Sequence, residues 1–209
     1  MKIHEAYTHW SATYDSDRNL TRDLDRIVTD EALSSLCYKS IIEVGCGTGK
    51  NTALLARIGE RVQALDFSEG MIAQAKAKLS ADNVTFTLAD LTVAWPCADG
   101  SADLIVCNLV LEHIDDIAFI FSEAFRVLVA GGRLFVCELH PFRQYQGTQA
   151  NFKRGHDTTV IQAFVHHLSD FTEAAASSGF ALKQFKEWWH TEDQGKPPRL
   201  VSFMFEKPA

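Results

Sequence analysis

Basic residues are in deficit: 20 Lys and Arg stand against 27 Asp and Glu in 209 residues, a formal net charge of -7 with a pI near 5.6. Sequence-independent binding to nucleic acid or to an anionic membrane rests on clustered Lys and Arg neutralising phosphates, so neither partner is expected. A small-molecule partner is favoured. No apolar run approaches the roughly 20 residues of a membrane span, and the opening MKIHEAYTHW lacks the charged-then-apolar order of a signal peptide. The cysteines (Cys37, Cys46, Cys97, Cys107 and Cys137) are odd in number and have no C-x-x-C spacing, so neither a disulfide framework nor a zinc or iron–sulfur site is suggested. They read as buried thiols in a reducing compartment, and the expected location is cytoplasmic. Internal repeats, low-complexity stretches and linkers are also missing. With 46% hydrophobic residues the expectation is one domain with a sizeable core.

What is present is an alternation. Residues 40–44, 62–65, 84–88, 104–108, 134–138, 180–187 and 200–206 are short runs with the length and composition of strands. Residues 52–58, 69–79, 117–127 and 170–178 carry apolar residues at helical spacing between them. Such alternation implies an α/β fold, a mostly parallel seven-stranded sheet wound by helices on both faces. Between the last two strands come Gly195, Lys196, Pro197 and Pro198 but no helix, which predicts an antiparallel hairpin strand at the C-terminal end. Two stretches stand outside the pattern. Residues 1–30 look helical and aromatic, and residues 139–168 form a polar, aromatic insert; active-site lids are often such segments.

The stretch IIEVGCGTGKN, residues 41–51, puts a glycine-rich turn between the first strand and the first helix, where doubly wound sheets bind ligands. A dinucleotide fingerprint beginning at Gly45 accepts Gly47 but meets Lys50 where glycine or alanine is required. A phosphate-binding loop ending at Gly49-Lys50 fails at Val44 and Asn51. Glu43 at the mouth of the turn would repel a pyrophosphate and favour an ammonium or sulfonium. A cationic nucleoside therefore fits better than a nicotinamide dinucleotide. Other readings stay open: turn glycines serve backbone geometry, Asp66 can cap a helix near Ser68, Cys46 can be a small packed thiol, and Glu112-His113 can supply a base or simply pack.

The motif E-V-G-C-G-T-G at 43–49 resembles motif I of class I S-adenosylmethionine-dependent methyltransferases, a Rossmann-like family. Four further segments in the same order carry the resemblance: Asp66 followed by F-S-E-G-M, Ala89-Asp90-Leu91, D-L-I-V-C-N-L-V-L-E-H-I at 103–114, and A-G-G-R-L-F-V-C-E at 130–138. The resemblance implies S-adenosyl-L-methionine as cofactor and S-adenosyl-L-homocysteine as product. It implies that Glu43, Gly45, Cys46, Gly47 and Gly49 lie against the methionine part. Asp66 would accept from the ribose hydroxyls, Phe67 and Met71 would flank the adenine, Asp90 and Leu91 would meet its amino group, and Asn108 and Leu109 would close the wall. A-x-x-Y-D at 12–15 is similar to the N-terminal helix of the small-molecule branch, which includes quinone and fatty-acyl methyltransferases. There Tyr14 would cover the cofactor and Arg22 would pair with its carboxylate. Tyr7, Trp10 and Tyr14 make an aromatic stripe at helical spacing, core unless this helix folds over the pocket.

The specialised subclasses fit poorly. Asn108-Leu109-Val110-Leu111 replaces the N-P-P-Y-like element of DNA amino-methyltransferases. Pro96-Cys97 precedes the fourth strand instead of following it, and Thr8-His9-Trp10, similar to a loop of arginine methyltransferases, is at the wrong end of the chain. The Asp-Asn pair of magnesium-dependent enzymes is not evident after the fifth strand, so no metal is expected. The reading is a single methyltransferase domain over 1–209, with an N-terminal lid at 1–30 and an acceptor-side insert at 139–168. The acceptor is expected at the insert, near His140, Arg143, Tyr145 and Phe152, with His113, His140 and Tyr145 as candidate catalytic groups. His166 and His167 are adjacent and poor joint metal ligands. A cofactor-binding protein without catalysis is the alternative. The atom methylated and the oligomeric state are left open.

Overall fold

A computed structural model describes residues 3–154 and 157–209, with 152–154 and 157 described for backbone only. Two helices, α1 (Ile3–Trp10) and α2 (Leu20–Leu33), precede β1 (Ile41–Val44). Then follow α3 (Thr52–Ile58), β2 (Val62–Asp66), α4 (Glu69–Lys78), β3 (Val84–Leu88), β4 (Ala102–Asn108), a 3-10 turn at Leu111–His113, α5 (Ile117–Val127) and β5 (Leu128–Leu139). The chain ends with α6 (Pro141–Tyr145), β6 (Asn151–Arg154), β7 (Asp157–Val160), α7 (Leu168–Ser177), β8 (Ala181–Trp188) and β9 (Leu200–Glu206). The main sheet has the order β3-β2-β1-β4-β5-β9-β8, parallel from β3 to β5, with β9 antiparallel to both its neighbours.

Period-two alternation builds a core on each face. From β4, Ile105 and Cys107 point to one side while Leu104 and Val106 point to the other; from β5, Leu134 and Val136 oppose Phe135 and Cys137. The first side is covered by α5 and α7 through Ile117, Phe121, Phe171 and Ala174, the second by α2 and α3 through Leu24, Val28, Leu54 and Leu55. Both faces of the central strands are therefore buried, which is why they read as continuous apolar runs.

Several elements differ from the sequence expectation. β5 begins at Leu128 and not at 134, because a bulge between Ala102 and Leu104 lets the pairing continue past Gly131-Gly132. α7 begins at Leu168, where the Asp170 carboxylate accepts from the His167 backbone N–H at 2.7 Å and starts the helix early. The insert is not simple loop: α6 opens it, and β6 and β7 pair antiparallel outside the main sheet. The strand order reverses between β1 and β4, and ligands of doubly wound folds bind outside the strand ends at that point.

Candidate functional site

β1 stops because Gly45 enters the left-handed region (φ 76°) and the N–H groups of Gly45 and Cys46 both turn onto the Leu65 carbonyl, at 2.8 and 2.9 Å. A Cβ at Gly45 would stand 2.1 Å from Val110 Cγ2, so the loops after β1 and β4 touch there. Gly47 (φ 53°) has open space where its Cβ would be, and its N–H donates to Asp66 Oδ2 at 2.8 Å. Asp66 Oδ1 accepts from the Ser68 N–H at 2.8 Å. The helix-cap alternative for Asp66 does not hold: Ser68 caps α4, its Oγ accepting from the Met71 N–H at 3.2 Å.

These loops, the β2–α4 and β3 ends, and the N-terminal helices surround one cavity with about 1040 Å³ of free space, its mouth included. Every residue expected at the cofactor except Gly49 lines it: Tyr14, Arg22, Glu43, Gly45, Cys46, Gly47, Asp66, Phe67, Met71, Asp90, Leu91, Asn108 and Leu109. Gly49 is turned away, its Cβ position 3.2 Å from Ala75 Cβ, and serves the packing of the β1–α3 turn against α4. Tyr7, Asp25, Thr48, Lys50, Asn51, Thr92, Val110 and Ile114 also line the wall. Asp25 carried a signal: an acid beside Leu24, Val28 and Thr29 on the buried face of α2 has to be satisfied by something.

Glu43 is not at the mouth. It is 4% exposed beneath the turn, with Oε2 accepting from Thr52 Oγ1 at 2.5 Å. Burial pushes its carboxyl up to about 8 and that of Asp66 up to about 6. Burial thus favours the protonated form of Glu43, and a cation beside it would favour its ionisation. Behind the wall, Glu138 Oε1 accepts from the N–H groups of Val110 and Leu111 at 2.9 and 3.0 Å and holds the turn in which Leu109 takes a positive φ of 56°. Asp90 Oδ1 accepts from both the N–H and Oγ1 of Thr92, at 2.9 and 2.7 Å.

The N-terminal helices form the roof. Arg22 is 8% exposed and lies 3.9 Å over the Tyr14 ring; Nη1 donates to the Tyr14 carbonyl and Nη2 to the Asp17 carbonyl at 2.9 Å. Its Nε is buried and has no partner among the described residues. Thr48 Oγ1 donates to Asp15 at 2.7 Å, the Thr8 and Ser68 hydroxyls meet at 2.9 Å, and Trp10 Nε1 donates to Asp17 at 2.7 Å. Trp10 packs with Ala6 and Ile161, so insert and N-terminal segment share one small core.

Of the catalytic candidates, only His113 reaches the cavity. Its Nδ1 is 3.0 Å from the Gln162 carbonyl, which accepts only, so Nδ1 carries the hydrogen and Nε2 accepts from Tyr7 OH at 2.6 Å. Burial lowers its pKa, so the ring is neutral. His140 caps α6, with Nδ1 accepting from the Phe142 N–H at 3.1 Å and Nε2 2.9 Å from Glu187. Tyr145 is exposed and bonded to His167 Nδ1 at 2.6 Å. Neither lines the cavity. Arg143 is held by the Pro197 and Pro198 carbonyls and by Asp193, and His166 by the Leu111 and Ile114 carbonyls. The Phe152 side chain lies outside the described residues. Insert residues expected to meet an acceptor thus support the turns around the site, because their polar ends are used within the fold.

Residues 42–136 match a family model described as a methyltransferase domain. Demethylmenaquinone methyltransferase of Clavibacter sepedonicus is 34% identical over 133 residues, 61% of this chain and 54% of the relative. Malonyl-[acyl-carrier protein] O-methyltransferase of Hahella chejuensis is 37% identical over 146 residues, 66% of this chain and 50% of the relative. The chain thus spans about half the length of these curated relatives. Among solved structures, the DhpI–SAH complex superposes with a TM-score of 0.76 over 99% of this chain and 95% of that one, at 18% identity, a likeness of fold.

Proposed function

We propose that this chain is a class I S-adenosylmethionine-dependent methyltransferase that transfers a methyl group to a small-molecule acceptor, a reading supported by its match to a methyltransferase domain over residues 42–136 and by its similarity to methyltransferases at 34% and 37% identity. One observation carries the reading. At the switch point of the sheet, a single cavity holds a buried guanidinium whose Nε has no partner among the described residues on one wall and Asp66 with lone pairs beyond its bonds to the Gly47 and Ser68 N–H groups on another. Those groups suit the carboxylate and the ribose of one ligand.

When bound, the cofactor supplies a methyl carbon on a sulfonium, open to in-line attack by a nucleophile. Arg22 Nε would donate to the carboxylate, Asp66 would accept from the ribose hydroxyls, and Asp90 and Leu91 would meet the base. Tyr14 and Phe67 would exclude water from either side. Glu43, with its carboxyl held up by burial, would ionise more readily beside positive charge and so would favour a sulfonium over its neutral thioether product. His113, a neutral base fixed in one tautomer by Gln162, would accept a proton at Nε2 from an acceptor that displaces Tyr7 OH. Positioning and removal of water can then carry much of the rate.

The acceptor enters, in this reading, on the side of His113, Val110 and Ile114, and the whole chain acts as one unit with residues 1–30 as lid and 139–168 as the insert behind the acceptor side. The relatives are named for a quinone precursor and an acyl-carrier-bound malonyl group, which supports a small organic acceptor. A net charge of -7 speaks against nucleic acid, and among the described residues no helix is long and apolar enough to cross a membrane. The free thiols support a cytoplasmic location. Incubation with methyl-tritiated S-adenosylmethionine and a fractionated metabolite extract tests the reading. Acceptor-dependent release of S-adenosylhomocysteine with label in an organic product is expected; binding without any transfer would leave a cofactor-binding protein in its place.

A further inference from the structure

Asn51 occupies the N-cap position of α3, the usual place for an asparagine whose side chain accepts from the first turn, yet it makes no such bond. Its side chain turns instead to α2, where Nδ2 donates to Asp25 Oδ2 at 2.8 Å. The other oxygen of Asp25 accepts from Asn108 Nδ2 at 2.8 Å, and the second hydrogen of that amide goes to Thr29 Oγ1 at 2.7 Å. Thr29 donates its own hydroxyl hydrogen to the Asp25 carbonyl at 2.8 Å, so toward Asn108 it can only accept. Neither amide can turn over without bringing a carbonyl oxygen against an acceptor. Both Oδ1 atoms are consequently presented away from Asp25, both are buried without a partner among the described residues, and both residues line the cavity. Asn51 as a whole is 8% exposed.

Buried carbonyl oxygens without a donor are costly unless a ligand supplies one. Resting on the S-adenosylmethionine reading, we propose that Asp25 is a positioning residue: it fixes the facing of Asn51 and Asn108 so that two carbonyl acceptors receive the α-ammonium of the ligand's amino-acid end, opposite in sense to the donor offered by Arg22 Nε. The site then selects a zwitterion. A donor turned inward at either asparagine would repel the ammonium instead.

The test is calorimetric titration of the full chain with S-adenosylhomocysteine and with its deaminated analogue, which keeps the carboxylate and the nucleoside. The natural protein should prefer the former by about tenfold to a hundredfold, the range of a hydrogen bond to a charged group. In Asp25→Asn the new side chain offers one acceptor and one donor, so only one amide keeps its facing, and the preference, read as the ratio of the two affinities on the same variant, should shrink severalfold. Asn51→Leu, close in shape and free of the carbonyl, should shrink it too, and serves if Asp25→Asn fails to fold by circular dichroism. Equal weakening of both ligands in a folded variant, or no preference in the natural protein, overturns the inference and leaves the cofactor reading intact. Failure of the natural protein to bind either ligand overturns both.

Discussion

Alanine substitution at Gly45 and at Gly47 should separate the two jobs of the glycine turn. Both residues have positive φ, at 76° and 53°, so a Cβ at either costs about 1–2 kcal/mol of backbone strain. Only at Gly45 does the new methyl meet a wall: Val110 Cγ2 is 2.1 Å away, 1.3 Å inside the 3.4 Å at which ordinary contact begins. Overpacking of that kind adds about 1–3 kcal/mol, so Gly45→Ala should lose about 2–5 kcal/mol of stability in urea unfolding and Gly47→Ala about 1–2. Gly47→Ala projects its methyl into open space at the cavity and should weaken S-adenosylhomocysteine binding out of proportion to its effect on stability. Val110→Ala in the Gly45→Ala background removes the obstructing methyl, and the double variant should recover the packing part, a coupling of about 1–3 kcal/mol. Equal losses at the two glycines, or no recovery with Val110→Ala, would refute the claim that the loops after β1 and β4 meet at Gly45.

Asp66→Ala removes acceptors from the Gly47 and Ser68 N–H groups as well as from the ligand, so stability and cofactor affinity should both fall, the latter by about 2–4 kcal/mol; unchanged affinity in calorimetry would reduce Asp66 to a loop support. Glu43 and Glu138 have carboxyls raised from the ordinary 4.5 to about 8 when folded, so their contribution to the folded state is fully present below the unfolded value, is lost progressively as pH rises toward 8, and changes no further above it. The melting temperature should therefore fall between about pH 5 and 8 and level off above that, with a shallower fall in Glu43→Gln; a flat profile over that range would show that these carboxyls are not masked. Tyr7→Phe removes the bond to His113 Nε2 and should loosen α1 by about 1 kcal/mol, seen as faster hydrogen exchange over residues 7–22. Saturation with S-adenosylhomocysteine should slow exchange over the same residues, and equal rates with and without ligand would argue against a lid.

The strand–helix alternation was legible because its central strands are buried on both faces and its helices on one, which fixes the periods of the apolar residues. The residues flanking the cavity at Gly45, Gly47, Asp66 and Asn108 were legible for a related reason: they end or follow strands, and the fold brings those strand ends together. Asn51 was not, since it is polar at an ordinary helix cap; Asp25 showed only as an acid on the apolar face of α2, and it is the packing of α2 beside the β1–α3 turn that makes the two neighbours. The insert was the hardest part. His140, Arg143 and Tyr145 look like ligand groups in isolation, but their polar atoms are consumed by α6, the 193–198 turn and His167, interactions with partners up to 55 positions away. Bulge and capping chemistry moved the starts of β5 and α7, effects of single contacts that periodicity does not register.

Calorimetric titration of the intact protein with S-adenosylhomocysteine tests the central claim most directly, because it asks whether the cavity at the switch point takes this nucleoside before any acceptor is known. A single saturable site with a dissociation constant in the micromolar range, about -8 kcal/mol, is the expected result. Absence of heat and of any thermal shift with either S-adenosylhomocysteine or S-adenosylmethionine, on protein whose circular dichroism shows it folded, would contradict the account.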